Sequence, residues 1–506
     1  MFTSLFSVRS GRRRRPLVGV VAALVLVVTA AACDPPPPEN APYWLPGTTV
    51  DASLHGAFVR IEWDAPQGGD PVAAYQINLG TPNGTGVALV PASVRDCIIT
   101  GLAANTAYTI VVTARDAQMH WSGPLSGTQG NRKTTITTIN QAGPGSLGCH
   151  RDNDGDSLPD PWETNDGSYT GMTDAGTDPT KGDTDNDGVP DGEEVLGTGV
   201  RDWDKDGIPD VADGRGSINL VAMGARPTHK DIFVEMDWTS TPGCPTGYRP
   251  TAAAISALRA PFTDAPITNP DGTTGINLIV DYGQGGVFAG GNAITHDGSP
   301  IAGVLSDAYL AFRDANFDAG RSGVFRYGLS VGSGNSNAVT GTWLMISGDC
   351  ARPAHDQAAH LMHELGHTLS LAHGRKSPET AIAVGVANQF PNYNSVMNYA
   401  YPEGVDTDCD GDGFDDLVLD YSHGTNAPLD ESDLDESAGI CNGVDIDWDN
   451  DGIIESSVQV DINHDTVINF PHFEGEGYDI LRDFDDWARV DERGMRCIRI
   501  CDGTLL

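Results

Sequence analysis

The stretch Ala359-His-Leu-Met-His363-Glu364-Leu-Gly-His367-Thr-Leu-Ser-Leu-Ala-His373 decides the reading of this 506-residue chain. Residues four apart share one face of an α-helix, so a helix here lets His363 and His367 offer two imidazoles to one ion. Glu364 falls beside them, placed to act on a water rather than to ligate. His373 completes three protein ligands once the chain leaves the helix and bends back. Three ligands leave a fourth position open, which marks a catalytic zinc site rather than a closed structural one. Were His373 not a ligand, Glu379 or Glu403 would be the substitute. His360, one turn before His363, is read as supporting the site or facing solvent.

A second signal follows at Ser395-Val-Met397-Asn-Tyr399. HExxH with a third histidine and a downstream methionine turn resembles the metzincin metallopeptidases, and the Met-x-Tyr ending is most like the astacin and serralysin branches. The resemblance implies a two-lobed α+β catalytic domain, here over residues 216–440, with the cleft between the lobes. It also implies an edge strand that takes an extended peptide, Met397 beneath the zinc, and Tyr399 as a fifth ligand or an oxyanion donor. One catalytic Zn²⁺ would polarise the scissile carbonyl and bring the pKa of water towards ~7, while Glu364 serves as general base. The family's glycine between the second and third histidines is Ser370 here. A serine in the left-handed turn that ends the helix costs roughly 1 kcal/mol.

The text upstream fits such a domain. Asp231–Trp238, Ile276–Val280, Val324–Tyr327 and Trp343–Ile346 read as strands, and Ile301–Phe312 has helical spacing. Residues 149–214 are different, acidic and Gly-rich. Asp152-x-Asp154-x-Asp156-x-x-Pro-Asp160-x-x-Glu163 recurs as Asp183-x-Asp185-x-Asp187-Gly-x-Pro-Asp191-x-x-Glu194 and as Asp202-x-Asp204-x-Asp206-Gly-x-Pro-Asp210-x-x-Asp213. Carboxylates at alternate positions of a curled loop converge, and hard oxygen ligands suit Ca²⁺. These repeats resemble thrombospondin type 3 and related bacterial calcium repeats, which implies several structural Ca²⁺ ions and little apolar core. Ser157 replaces the loop glycine of the first copy, which makes it the weakest match.

Residues 43–136 alternate inward and outward side chains between Gly, Asn and Pro turns. The order Trp63, Tyr75-Gln-Ile77, Gly101-Leu102, Tyr108, Ser122-Gly-Pro124 resembles a fibronectin type III domain, which implies a β-sandwich spacer. Residues 33–42 form a Pro-rich linker of polyproline type. Residues 1–32 read as an export signal: an arginine run, the apolar stretch Leu17–Val28, then small residues before Cys33. That end resembles a bacterial lipobox, with Cys33 as the acylated residue, although Ala30 stands where leucine is usual. The expected address is therefore a cell-surface lipoprotein, or a secreted protein without acylation, with the lipid as the membrane contact.

Residues 441–506 read as an acidic extension packed on the catalytic domain through Ile480–Trp487. The alternate-carboxylate theme returns around Asp406, Asp447 and Asp461. Eight cysteines besides Cys33 suit disulfides in an exported chain. A net charge of −40 repels phosphate backbones and excludes nucleic acid as a partner by general electrostatics. The fold class expected is thus multidomain: β-sandwich, calcium-loop repeats, and a metzincin-like α+β unit. The function expected is an exported zinc endopeptidase acting on protein or peptide substrates. The alternatives are a calcium-dependent surface adhesion protein with an inactive peptidase domain, against which intact His363, Glu364 and His367 argue, or a zinc hydrolase of cell-wall peptides.

Overall fold

The computed structural model describes residues 41–55, 58–80, 83–125, 135–138, 143–199, 217–373, 391–398, 419–440, 445–460, 462 and 480–493, of 491–493 the backbone alone. The expectations at Cys33, Tyr399, Glu379, Glu403, the whole third repeat (Asp202, Asp204, Asp206, Asp210, Asp213) and the Asp406 loop lie outside these residues.

The first unit comprises β1 (Val50–His55), β2 (Phe58–Trp63), β3 (Val72–Leu79), β4 (Thr85–Pro91), β5 (Asp96–Thr100), β6 (Ala107–Asp116), β7 (Thr135–Thr137) and β8 (Gly148–His150). They form two four-stranded antiparallel sheets, β1-β2-β5-β8 and β4-β3-β6-β7. Trp63 and Tyr75 meet edge-on between the sheets at 5.5 Å. The Tyr108 hydroxyl accepts the Ala103 N–H at 3.0 Å, so the tyrosine ties its strand to the preceding turn. Strand β8 comes from beyond the expected boundary at residue 136. It pairs with β5, and a disulfide joins Cys97 to Cys149.

The repeat region holds α1 (Asp191–Leu196) and leads through α2 (Leu220–Met223) to a third unit. Its apolar side chains are few, and Leu158, Trp162, Ala175 and Val195 pool with Phe58 and Ile98 of the sandwich.

The third unit is a six-stranded sheet of β9 (Asp231–Ser240), β10 (Asn277–Asp281), β11 (Ala293–Thr295), β12 (Phe325–Val331), β13 (Asn337–Val339) and β14 (Trp343–Ser347). The order is β10-β9-β12-β14-β13, with β11 also paired to β9. All pairs are parallel except β13 with β14, which is antiparallel and puts β13 at the edge. Strand β9 alternates as a sheet strand buried on both faces should. Ile232, Val234 and Met236 meet helices α3 (Ala252–Thr263) and α5 (Ala354–Thr368), while Phe233 joins Val189, Ile279 and Phe325 on the other face. Helix α4 (Asp307–Asn316) starts later than the expected Ile301, because Gly303 sits at φ 127° and Ser306 caps the first turn. A disulfide between Cys244 and Cys350 anchors the approach to α5 across 106 residues.

The described C-terminal residues pack onto this unit. Strands β15 (Leu429–Asp430) and β16 (Ile480–Leu481) pair, and α6 (Asp486–Arg493) follows. Trp487 lies edge-on to Phe262 of α3 at 5.4 Å, inside the core beneath α5. No helix among the described residues is long and apolar enough to cross a membrane.

Candidate metal centre

Helix α5 divides its faces by helical period. Ala358, Leu361, Met362 and Leu365 enter the core, and His360, His363, Glu364 and His367 line a cleft of about 500 Å³. The opposite wall is Ser336, Asn337, Ala338 and Thr340, on and beside edge strand β13.

The helix ends in a left-handed reversal. Ser370 N–H donates to His367 O at 3.1 Å and Leu371 N–H to Gly366 O at 2.9 Å, the paired bonds of a Schellman stop. Ser370 itself sits at φ 70°, the conformation for which glycine is the easy choice. This reversal returns His373 to the cleft. The three Nε2 atoms then lie 3.0 to 3.2 Å apart: His363–His373 3.1 Å, His363–His367 3.2 Å and His367–His373 3.0 Å.

The other ring nitrogens explain that arrangement. His363 Nδ1 donates to Val396 O at 2.7 Å and His367 Nδ1 to Leu371 O at 2.9 Å. A neutral imidazole that donates through Nδ1 presents a lone pair at Nε2. Burial, then the neighbouring rings, holds His363 and His373 down to about 3, so the rings are neutral. Converging lone pairs repel one another unless a cation lies between them. Tetrahedral ligation at ~2.0–2.1 Å sets nitrogens roughly 3.3 Å apart, so the residues present fit one such ion.

Glu364 is 5% exposed, and its Oε2 has no hydrogen-bond partner among the described residues. Burial pushes its carboxyl up to about 8. It belongs to the cleft, not to the core face. Met397 is fully buried against Gly366 of α5, where a Cβ would collide with the Met397 sulfur and the Tyr421 ring. Its neighbour Val396 holds His363, so the methionine turn orients one of the three rings.

The turn is itself pinned by a residue the sequence did not single out. The Asp486 carboxylate of α6 accepts from Tyr393 Oη at 2.8 Å and Ser395 Oγ at 2.7 Å. Arg352 is also new to the site; its guanidinium meets Nδ1 of His360 at the cleft rim.

The acidic loops share one shape. In the loops starting at Asp152, Asp183 and Asp447 the sixth residue donates its N–H to the first carboxylate: Ser157 3.2 Å, Gly188 3.0 Å and Gly452 2.7 Å. The fifth carboxylate accepts from the seventh N–H: Leu158 2.7 Å, Val189 2.7 Å and Ile453 2.8 Å. The sixth residue is left-handed in all three, with φ 85° at Ser157, 99° at Gly188 and 86° at Gly452. Serine therefore keeps the first loop's turn. Asp152, Asp154 and Asp156 converge, as do Asp183, Asp185 and Asp187, and as do Asp156 and Glu163 with Asp191 of the next repeat. Asp160 caps Asn153, whose N–H donates to its Oδ1 at 2.8 Å. The loop at Asp447 receives the equivalent cap from outside, where Glu436 accepts Trp448 N–H at 2.6 Å. Such crowding pushes carboxyls up: burial and then neighbouring acids take Glu163 to about 9, and burial takes Asp191 to about 8. A divalent cation reverses that balance.

A fibronectin type III domain profile matches residues 46–128. The spore cortex lytic enzyme SleM of Clostridium perfringens is 17% identical over 20% of this chain and 29% of its own, with a TM-score of 0.15. The chain thus spans less than a third of that enzyme's length. A structure of FN3tt mut is 18% identical over 20% of this chain and 97% of its own, also at a TM-score of 0.15. No curated protein matches the chain significantly.

Proposed function

We propose that the chain is an exported zinc-dependent endopeptidase of the metzincin type, stabilised by calcium, acting on protein or peptide substrates. The observation that carries this reading is the convergence of three neutral imidazoles, with Nε2 atoms 3.0 to 3.2 Å apart, beside a buried glutamate in an open cleft. When bound there, Zn²⁺ supplies Lewis acidity towards a carbonyl and a lowered pKa for water. His363, His367 and His373 would hold it, the first two with their tautomers set by Val396 O and Leu371 O.

Glu364 does the proton work. Burial alone favours its neutral form, and a neighbouring dication restores the carboxylate. It can then take a proton from water and return it to the leaving amine. Tyr399 is the proposed oxyanion donor. Edge strand β13 has no strand paired to its outer side among the described residues, which suits an extended peptide added as a further strand along the cleft wall. Asp152, Asp154, Asp156 and Glu163, with Asp183, Asp185, Asp187, Asp191 and Glu194, would take Ca²⁺. Export through residues 1–32, with Cys33 as the lipidated residue, completes the proposal.

The test is hydrolysis of a casein-like protein and of purified cell wall, each with and without chelator. Chelator-sensitive cleavage of protein alone is expected. Turnover of cell wall alone would transfer the site to peptide cross-links, and activity on neither would leave an adhesion role. Glu364→Ala is expected to cut turnover ~10²–10⁴-fold while zinc content, measured by elemental analysis, stays at one per chain. Loss of the metal with the activity would remove Glu364 from its assigned role.

A further inference from the structure

The first two loops are not closed in the same way. Over the first loop, Asp156 and Glu163 are joined by Asp191 from the second repeat, and the next residue, Gly192, donates its N–H to Asp156 Oδ2 at 2.8 Å. Over the second loop the corresponding acids are Asp187 and Glu194. The group that meets them is Asp231, the first residue of β9, whose own N–H donates to Asp187 Oδ2 at 2.7 Å. Lys230 beside it reaches the backbone carbonyl of Asp185.

The second loop also holds an acid without a donor. Glu194 is fully buried, and neither of its oxygens finds a hydrogen-bond donor among the described residues. Burial, then the charges of Asp187, Asp185 and Asp231, drive its carboxyl well above the usual range. Asp185 Oδ2 is likewise buried without a partner. Among the described residues, six acids act on one another here (Asp183, Asp185, Asp187, Asp191, Glu194 and Asp231), with the cationic side chains of Lys230 and Arg226 beside them. Excess buried charge of this kind is strongly unfavourable unless a counter-ion is present.

We propose that β9 closes the second loop's cation site, with Asp231 taking the place that a following repeat's acid takes over the first loop, so that a calcium ion there fastens the repeat region to the catalytic sheet. This rests on the calcium reading above and adds a ligand from outside the repeats. Asp231 leads the strand whose next residues, Ile232, Val234 and Met236, pack under α3 and α5. Occupancy of the site therefore stiffens the sheet from its N-terminal end.

The test uses the full chain stripped with chelator and titrated with calcium chloride, by calorimetric titration and by thermal melting. Asp231→Asn is expected to lose one calcium equivalent, or to bind it ~tenfold or more weakly, while the first loop's uptake is unchanged. The calcium-dependent rise in melting of the catalytic unit should shrink with it. Asp156→Asn should do the reverse, weakening the first loop and leaving that rise. Should Asp231→Asn fail to fold, Glu194→Gln carries the same expectation without touching the sheet. Wild-type stoichiometry and affinity in these variants overturn the capping role alone. A wild-type chain that takes up no calcium removes the calcium reading, and the cap with it.

Discussion

Ser370 shows how a single residue can depart from a pattern and keep its geometry. The sequence placed a serine where the helix must reverse, and the backbone there is left-handed, at φ 70°. The reversal is enforced by two capping hydrogen bonds and by the buried Leu369 and Leu371 on either side. Ser370→Gly should therefore stabilise the fold by roughly 1 kcal/mol, read as a higher urea midpoint at unchanged slope. A lower midpoint would mean that the serine side chain contributes more than the strain removes. His363, Glu364, His367 and His373 were legible because their spacing is local and a helix converts spacing into direction. Arg352 and Glu436 were not, since nothing in their neighbours reveals that the chain folds them against His360 or the Asp447 loop.

At the scale of elements, the methionine turn and α6 act together. Residues 393–398 are positioned by an acid more than eighty residues downstream, through Tyr393 and Ser395 on Asp486. The sequence led to an expectation that Ile480–Trp487 packs on the preceding unit, because its apolar residues needed cover, but held no sign that its aspartate orients the turn. Burial raises the Asp486 carboxyl to about 7, against the opposing pull of the two hydroxyls. Its unfolded value is about 4, so the folded state holds the proton more tightly. That contribution to stability is complete below about pH 4 and is lost as pH rises through about 7. Melting temperatures of wild type and Asp486→Asn should thus diverge in the variant's favour between about pH 4 and pH 7. A gap that closes, or widens the other way, would show that the ionised acid is the form the turn prefers.

Across the whole molecule, the units are joined by polar contacts as much as by apolar packing. Arg60 of the sandwich binds Asp152 of the first loop at 3.0 Å, Gly192 links the first loop to the second, and Asp231 links the second to the six-stranded sheet. The acidic region has little apolar text of its own and would have little core if it stood alone. Phe58 against Trp162 at 5.0 Å is part of what makes it otherwise, and such pairing across ~100 residues leaves no periodic trace. Strand β8 carries the same lesson further. A sandwich cassette cut at residue 136 would discard the strand that covers β5 and leave Cys97 a lone thiol, presenting a raw hydrogen-bonding border of the kind that recruits other chains. Light scattering should find such a fragment self-associating more than one carried through His150. The sandwich is therefore not a portable part: it is finished by the segment that begins the next module, and cannot be shuffled without it.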